Sequence, residues 1–194
     1  MPKQSISQEI ITLFKKHGQI EYGEGFSVSS HSVQAGLLAK EKGYDSALII
    51  AAFIHDIGHL YPLEMATAEV QKMGDFGIEA HDQWGEKFLR QRNFPPRVIA
   101  PVENHVRAKR YLCFKEPDYY VSLSEASKET LSYQGGPMSA PEAKAFASAP
   151  LFEESIKIRR IDDEAKADNF EVTASHWVYF AGLIDELAGI NLEL

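Results

Sequence analysis

The sequence predicts an all-α protein, and three observations predict it. Capping-box spacings at Ser5–Gln8 and Ser122–Glu125 each open a stretch with helical character. Strand-like alternation is nearly absent, and there are no internal repeats or low-complexity segments. Four histidines, His31, His55, His81 and His105, recur in helical, largely apolar surroundings at gaps of 24, 26 and 24 residues. Such gaps suit one residue per helix, with successive helices folding back around a common core.

In order, Ile6, Ile10, Ile11 and Phe14 share one face of a first helix that closes at His17 and Gly18. Residues 22–27 are turn-like, with Gly23 and Gly25 around Glu24. Ser29, Ser30 and His31 open a second helix that ends near Gly43, and Asp45 caps a third. That third helix is apolar on all sides from Leu48 through Ile54, the mark of burial, and delivers His55 and Asp56 at its end.

Residues 60–77 carry Pro62, Gly74 and Gly77 and read as a mobile, lid-like loop. A helix with Ala80, His81, Trp84, Phe88 and Leu89 follows, and Gly85 inside it implies a close helix contact. After Pro95 and Pro96 comes a helix with Val98, Ile99, Val102, His105 and Val106, bent in its first turn by Pro101. The capping box at Ser122–Glu125 opens the next, which stops before Gly135 and Gly136. Two further helices cover about residues 142–147 and 152–163, and Trp177, Phe180, Leu183, Ile184 and Leu187 stripe a last one.

At 194 residues the chain reads as a single domain, 1–194. A net charge of -8 disfavours nucleic acid and anionic membrane as general partners, and an anionic substrate needs a local positive pocket. Cys113 is the only cysteine, which fits a reducing compartment. Met1 through Ser5 lack the apolar core of a signal peptide, and no stretch approaches the roughly 18 to 20 apolar residues of a membrane span. A cytoplasmic protein is expected; oligomeric state is open.

His55 and Asp56 at the end of a buried helix are costly unless both are paired or ligate a metal. A carboxylate can bridge two ions while its neighbour caps one of them, the first hint of a dinuclear site. Any one of the histidines alone reads better as a satisfied core residue. Four in one pattern, joined to Asp56 and a late Asp162, point instead to a metal. Imidazole and carboxylate without thiolate favour iron, manganese or a similar divalent ion over structural zinc.

His31, then His55-Asp56, then Asp162 resembles the HD-domain superfamily, mostly metal-dependent phosphohydrolases. His81 and His105 match the additional ligands of its dinuclear members. The resemblance implies an HD-domain helical bundle around one metal held by His31, His55, Asp56 and Asp162 and a second held by Asp56, His81 and His105. The stretches His55-Asp56-Ile57-Gly58-His59, Lys109-Arg110-Tyr111-Leu112 and Tyr133-Gln134-Gly135-Gly136-Pro137-Met138 carry a narrower likeness. They are similar to the mixed-valence diiron oxygenases that cleave 1-hydroxy-2-(amino/trimethylamino)ethylphosphonates.

That likeness implies two iron ions, Fe(II)/Fe(III), with O2 as co-substrate. His59 and Lys109 are then the catalytic pair, facing the substrate. Ser127 and Arg159 hold phosphonate oxygens, Glu24 meets the substrate's cation, and Tyr22 and Gln134 line the site. Lys109 lies four residues after His105, on the same helix face. Tyr22 stands two residues before Glu24 where the family has three, which leaves its metal role open.

Gly25 and Phe26 beside Glu24 favour a trimethylammonium substrate, cleaved to glycine betaine and phosphate, over the primary amine, cleaved to glycine and phosphate. The same six ligands also serve an HD phosphohydrolase, in which the metals generate hydroxide. A degenerate HD domain acting as a sensor is a third reading, and an intact ligand set speaks against it.

Overall fold

The computed structural model describes residues 4–65 and 70–190, with side chains to residue 188. Ten α-helices follow one another among the described residues: α1 (Ile6–His17), α2 (Val28–Glu41), α3 (Ser46–Ile54), α4 (His81–Arg90), α5 (Pro96–Lys115), α6 (Pro117–Ser122), α7 (Glu125–Tyr133), α8 (Ala140–Ala147), α9 (Phe152–Glu164) and α10 (Ala174–Ile190). No strand is formed among them, so the all-α expectation stands. No helix is long and apolar enough to cross a membrane among these residues.

Helix α3 is the centre of the bundle. Every residue from Ala47 to Ile54 is buried, so the helix needs apolar neighbours on all sides. It finds them in α2, α5, α9 and α10, while α4 packs on α5 and α1 on α10. Phe53 stacks on Phe180 of α10 with ring centroids 4.0 Å apart, and Phe14 of α1 lies 4.9 Å from Phe53. The stripe read in the last helix is thus its core face.

The caps at Ser5 and Asp45 form as expected, each side chain accepting a backbone N–H three residues on. Two starts differ. Helix α2 begins one residue earlier, at Val28, because the Ser27 hydroxyl accepts the Ser30 N–H and leaves Ser29 and Ser30 inside the helix. The Ser122–Glu125 spacing is no cap: Pro117 starts the short α6, which ends at Ser122, and Ser124 caps α7 by accepting the Ser127 N–H.

Gly85 carries the close contact expected of it, since a Cβ there would lie 3.0 Å from Val102 of α5. Helix α5 continues through Pro101. Within 60–77, Tyr61–Glu64 forms a 3₁₀ turn and Lys72 bridges Ile78. The lid expectation falls partly on residues 66–69, outside the described residues, as do Met1 to Lys3.

Candidate metal centre and substrate cleft

Helix α3 ends one residue before the functional pair. His55 keeps helical angles, but Asp56 turns to φ -97° and ψ 11° and begins the 3₁₀ turn Ile57–His59. Adjacent residues on an unbroken helix point about 100° apart. The break at Asp56 lets both face the same centre. Gly58 permits the turn to sit against α4: a Cβ there would fall 1.8 Å from the His81 carbonyl oxygen. His81 therefore starts α4 directly over the turn.

The six expected ligands converge in two groups, His31, His55 and Asp162, and Asp56, His81 and His105. His31 Nε2 lies 3.1 Å from Asp162 Oδ1 and 3.2 Å from His55 Nε2. His81 and His105 bring their Nε2 atoms to 2.9 Å. Asp56 sits between the groups, with Oδ2 3.5 Å from His55 Nε2 and Oδ1 3.7 Å from both His81 and His105 Nε2. Ligands bonded at about 2.1 Å to one ion stand about 3.0 Å apart in cis octahedral and about 3.4 Å in tetrahedral arrangement. The observed separations bracket those values.

The tautomers point the same way. Each ligand histidine places Nδ1 against a backbone carbonyl: His31 on Ala165 at 3.0 Å, His55 on Ala52 at 2.8 Å, His81 on Ile78 at 3.2 Å and His105 on Val102 at 2.7 Å. With Nδ1 donating, each Nε2 turns a lone pair into the centre. Facing lone pairs at hydrogen-bond distance require a proton or a metal ion between them. The donor set therefore fits a metal pair with Asp56 as bridge.

His59 is built oppositely. Its Nδ1 accepts the Ile78 N–H at 3.0 Å, so a neutral ring carries its proton on Nε2. Burial and neighbouring His81 hold it well below the usual histidine range. It stacks on His81 at 4.0 Å and lies 4.7 Å from the Tyr22 ring.

Without metal, burial alone would lower His55, but Asp56 and Asp162 outweigh it and hold it at about 9. His105 drops to about 3 through burial and the nearby His81. Asp56 is held low by His55, His59 and His81 against its own burial.

A cleft opens onto this centre, and all expected substrate residues line it: Tyr22, Glu24, His59, Lys109, Ser127, Gln134 and Arg159. Lys109 is buried, and its Nζ donates to Thr130 Oγ1 at 2.9 Å and to the Ser127 carbonyl at 3.3 Å. Burial first, then Arg159, lowers it to about 7, since both partners are neutral. Gln134 Oε1 is buried with no hydrogen-bond partner among the described residues.

Arg159 is more committed than the sequence suggested. Its Nη1 donates to Asp162 Oδ2 at 2.6 Å, its Nε to the Tyr119 hydroxyl at 2.9 Å, and its Nη2 to Asp163. Asp162 thus offers Oδ1 to the histidines and Oδ2 to Arg159. Tyr119 and Asp163 escaped the sequence reading, although Asp163 stands four residues after Arg159 on one helix face. Lys166 escaped it too: it pairs with Glu24 across 142 residues, and no local signal announces that contact.

Fold and centre together define an HD-type helical domain whose two histidine–aspartate groups could each hold a metal ion. The HD domain family matches residues 28–163. The chain is 35% identical over 90% of its length to the [1-hydroxy-2-(trimethylamino)ethyl]phosphonate dioxygenase (glycine-betaine-forming) of Leisingera caerulea, covering 86% of that protein. It is 34% identical over 84% of its length to the hydroxymethylphosphonate dioxygenase of Gimesia maris, covering 79% of it. An uncharacterised protein of Acanthamoeba polyphaga mimivirus is 42% identical over 81% of the chain and 71% of that protein. This chain belongs to the HD domain family and, within it, to the HD-domain phosphonate oxygenases.

Proposed function

We propose that the protein is a diiron enzyme that uses O2 to cleave the C–P bond of a small 1-hydroxyphosphonate, releasing a carboxylic acid and phosphate. The observation that carries the reading is the meeting of Asp56, turned to both histidine groups, with the buried Lys109 in one cleft. A lone buried ammonium is costly unless it meets an anion, and a phosphonate is one.

His31, His55, Asp56 and Asp162 would hold one ion, and Asp56, His81 and His105 the other. Iron there supplies the redox chemistry by which dioxygen oxidises C1. The remaining work belongs to the side chains. Lys109 and Ser127 bind phosphonate oxygens, aided by the N–H groups of Arg159 that its carboxylates leave spare. Arg159 also fixes Asp162, and the Nε2–H of His59 donates to an oxygen of the substrate. The reaction balances as one 1-hydroxyphosphonate plus one O2 giving one carboxylate, one phosphate and a proton. Positioning and fixed charges lower the barrier without reorganisation during the reaction.

The candidate substrates differ only beyond C1. Glu24 suits the trimethylammonium tail that the sequence favours, or the primary amine, if its carboxylate is free to meet a cation. Its pairing with Lys166 weighs against both.

The test is aerobic turnover of iron-loaded protein with 1-hydroxyphosphonates, following phosphate release and oxygen uptake together. Equal amounts of each are expected. Phosphate from phosphate esters without oxygen uptake would replace this reading with a hydrolase.

A further inference from the structure

The cleft also carries an ion pair made by the protein itself, between Glu24 and Lys166. Lys166 Nζ lies 2.7 Å from Glu24 Oε1 and 3.0 Å from Ser124 Oγ, and that hydroxyl donates to the same Glu24 oxygen at 2.7 Å. Both charged side chains are mostly shielded, at 18% and 23% exposed, so solvent screens the pair only in part.

Lys166 is held in place from both sides. Ala165 before it is buried and its carbonyl accepts the His31 Nδ1–H at 3.0 Å; Ala167 after it donates its N–H to Gln34 Oε1 at 2.8 Å. The stretch that fixes a metal ligand therefore also aims this lysine. Phe26, two residues after Glu24, lies over His31 with centroids 5.5 Å apart, so one of its faces is already covered.

We propose that Lys166 is a specificity residue, supplying from the protein the cation that amine-bearing substrates bring with them. A cationic tail entering here meets an ammonium at Glu24, the carboxylate of the described lining that lies outside the two histidine–aspartate groups, and like charges close together repel strongly in a partly dry cleft. The chain then selects 1-hydroxyphosphonates whose tail is uncharged or absent, hydroxymethylphosphonate being the smallest. This rests on the phosphonate-oxygenase reading and narrows its substrate.

The experiment is calorimetric binding to iron-loaded protein without oxygen, using hydroxymethylphosphonate, 2-amino-1-hydroxyethylphosphonate and the trimethylammonium analogue. Wild type, Lys166→Met and Lys166→Arg are compared, and oxygen is then admitted to follow phosphate release. Wild type is expected to bind hydroxymethylphosphonate at least tenfold more tightly than either cation. Lys166→Met should shift that ratio at least tenfold towards the cations, and Lys166→Arg should keep the wild-type order.

Tighter binding of a cation by wild type overturns the proposal, as does an unchanged ratio in Lys166→Met. If Lys166→Met fails to fold, the wild-type order alone decides. The expected order with neither oxygen uptake nor phosphate overturns only the oxygenase reading. No binding of any of the three overturns both.

Discussion

His81 and His105 bring their Nε2 atoms to 2.9 Å while each ring donates its Nδ1–H to a backbone carbonyl. With those protons on Nδ1, the two Nε2 atoms face each other lone pair to lone pair, and only a cation between them makes that contact favourable. Burial and the neighbouring ring keep His105 neutral down to about pH 3, so a metal ion is the natural occupant.

Asp56 joins this pair to the other group, with Oδ1 on one side and Oδ2 on the other. Asp56→Asn keeps the shape and removes the second anionic oxygen. The variant should retain at most one of two metals, by elemental analysis after dialysis, and lose turnover by about 10²-fold or more. Two tightly held ions in Asp56→Asn would show that it does not bridge.

Metal affinity should rise with pH. His55 sits at about 9 without metal, held up by Asp56 and Asp162 against its burial. Its folded value is above the unfolded one, so the protonated ring stabilises metal-free protein fully below about pH 6.5, and that stability fades as pH rises through about 9. A metal must displace this proton, so affinity should climb about tenfold per pH unit between about 7 and 9 and then level. Competition titrations with a chromophoric chelator measure the slope; a flat profile would contradict the assignment.

Lys109 and Arg159 should separate in kinetics although both line the cleft. Lys109→Met removes a charged donor from the substrate and should raise KM about 10- to 100-fold with metal content unchanged. Arg159→Met also frees Asp162, so metal content should fall together with turnover. Identical effects from the two would mean that the cleft does not divide its work this way.

Gly58 is a packing requirement that stability can read. Gly58→Ala places a carbon 1.8 Å from the His81 carbonyl oxygen, so backbone must shift. A loss of about 1–3 kcal/mol or more is expected, with Tm lower by several degrees. Gly182→Ala, with no atom of the described residues within 4 Å of the added carbon in α10, should be neutral or slightly stabilising. Equal melting of the two variants would remove Gly58 from the account.

The sequence by itself determined the all-α class, the buried α3 and the six residues that meet in the two histidine–aspartate groups. Those follow from short-range rules: helical periodicity, caps within three residues, and the chemistry of histidine and aspartate at one residue per helix. The same rules carry the register of Lys109 on His105, and they relate Asp163 to Arg159 one turn away, a pairing not drawn from the sequence. They misplaced the start of α2 and the cap of α7 because several serines competed, and only packing chose Ser27 and Ser124. Tertiary structure alone decided how the charges are shared. It broke the helix at Asp56 so that one carboxylate faces two groups, and it set Lys166 on Glu24 across 142 residues. The physical reason is range: local patterns bind residues a turn apart, whereas the partner of a buried charge is whichever group the folded chain carries to it.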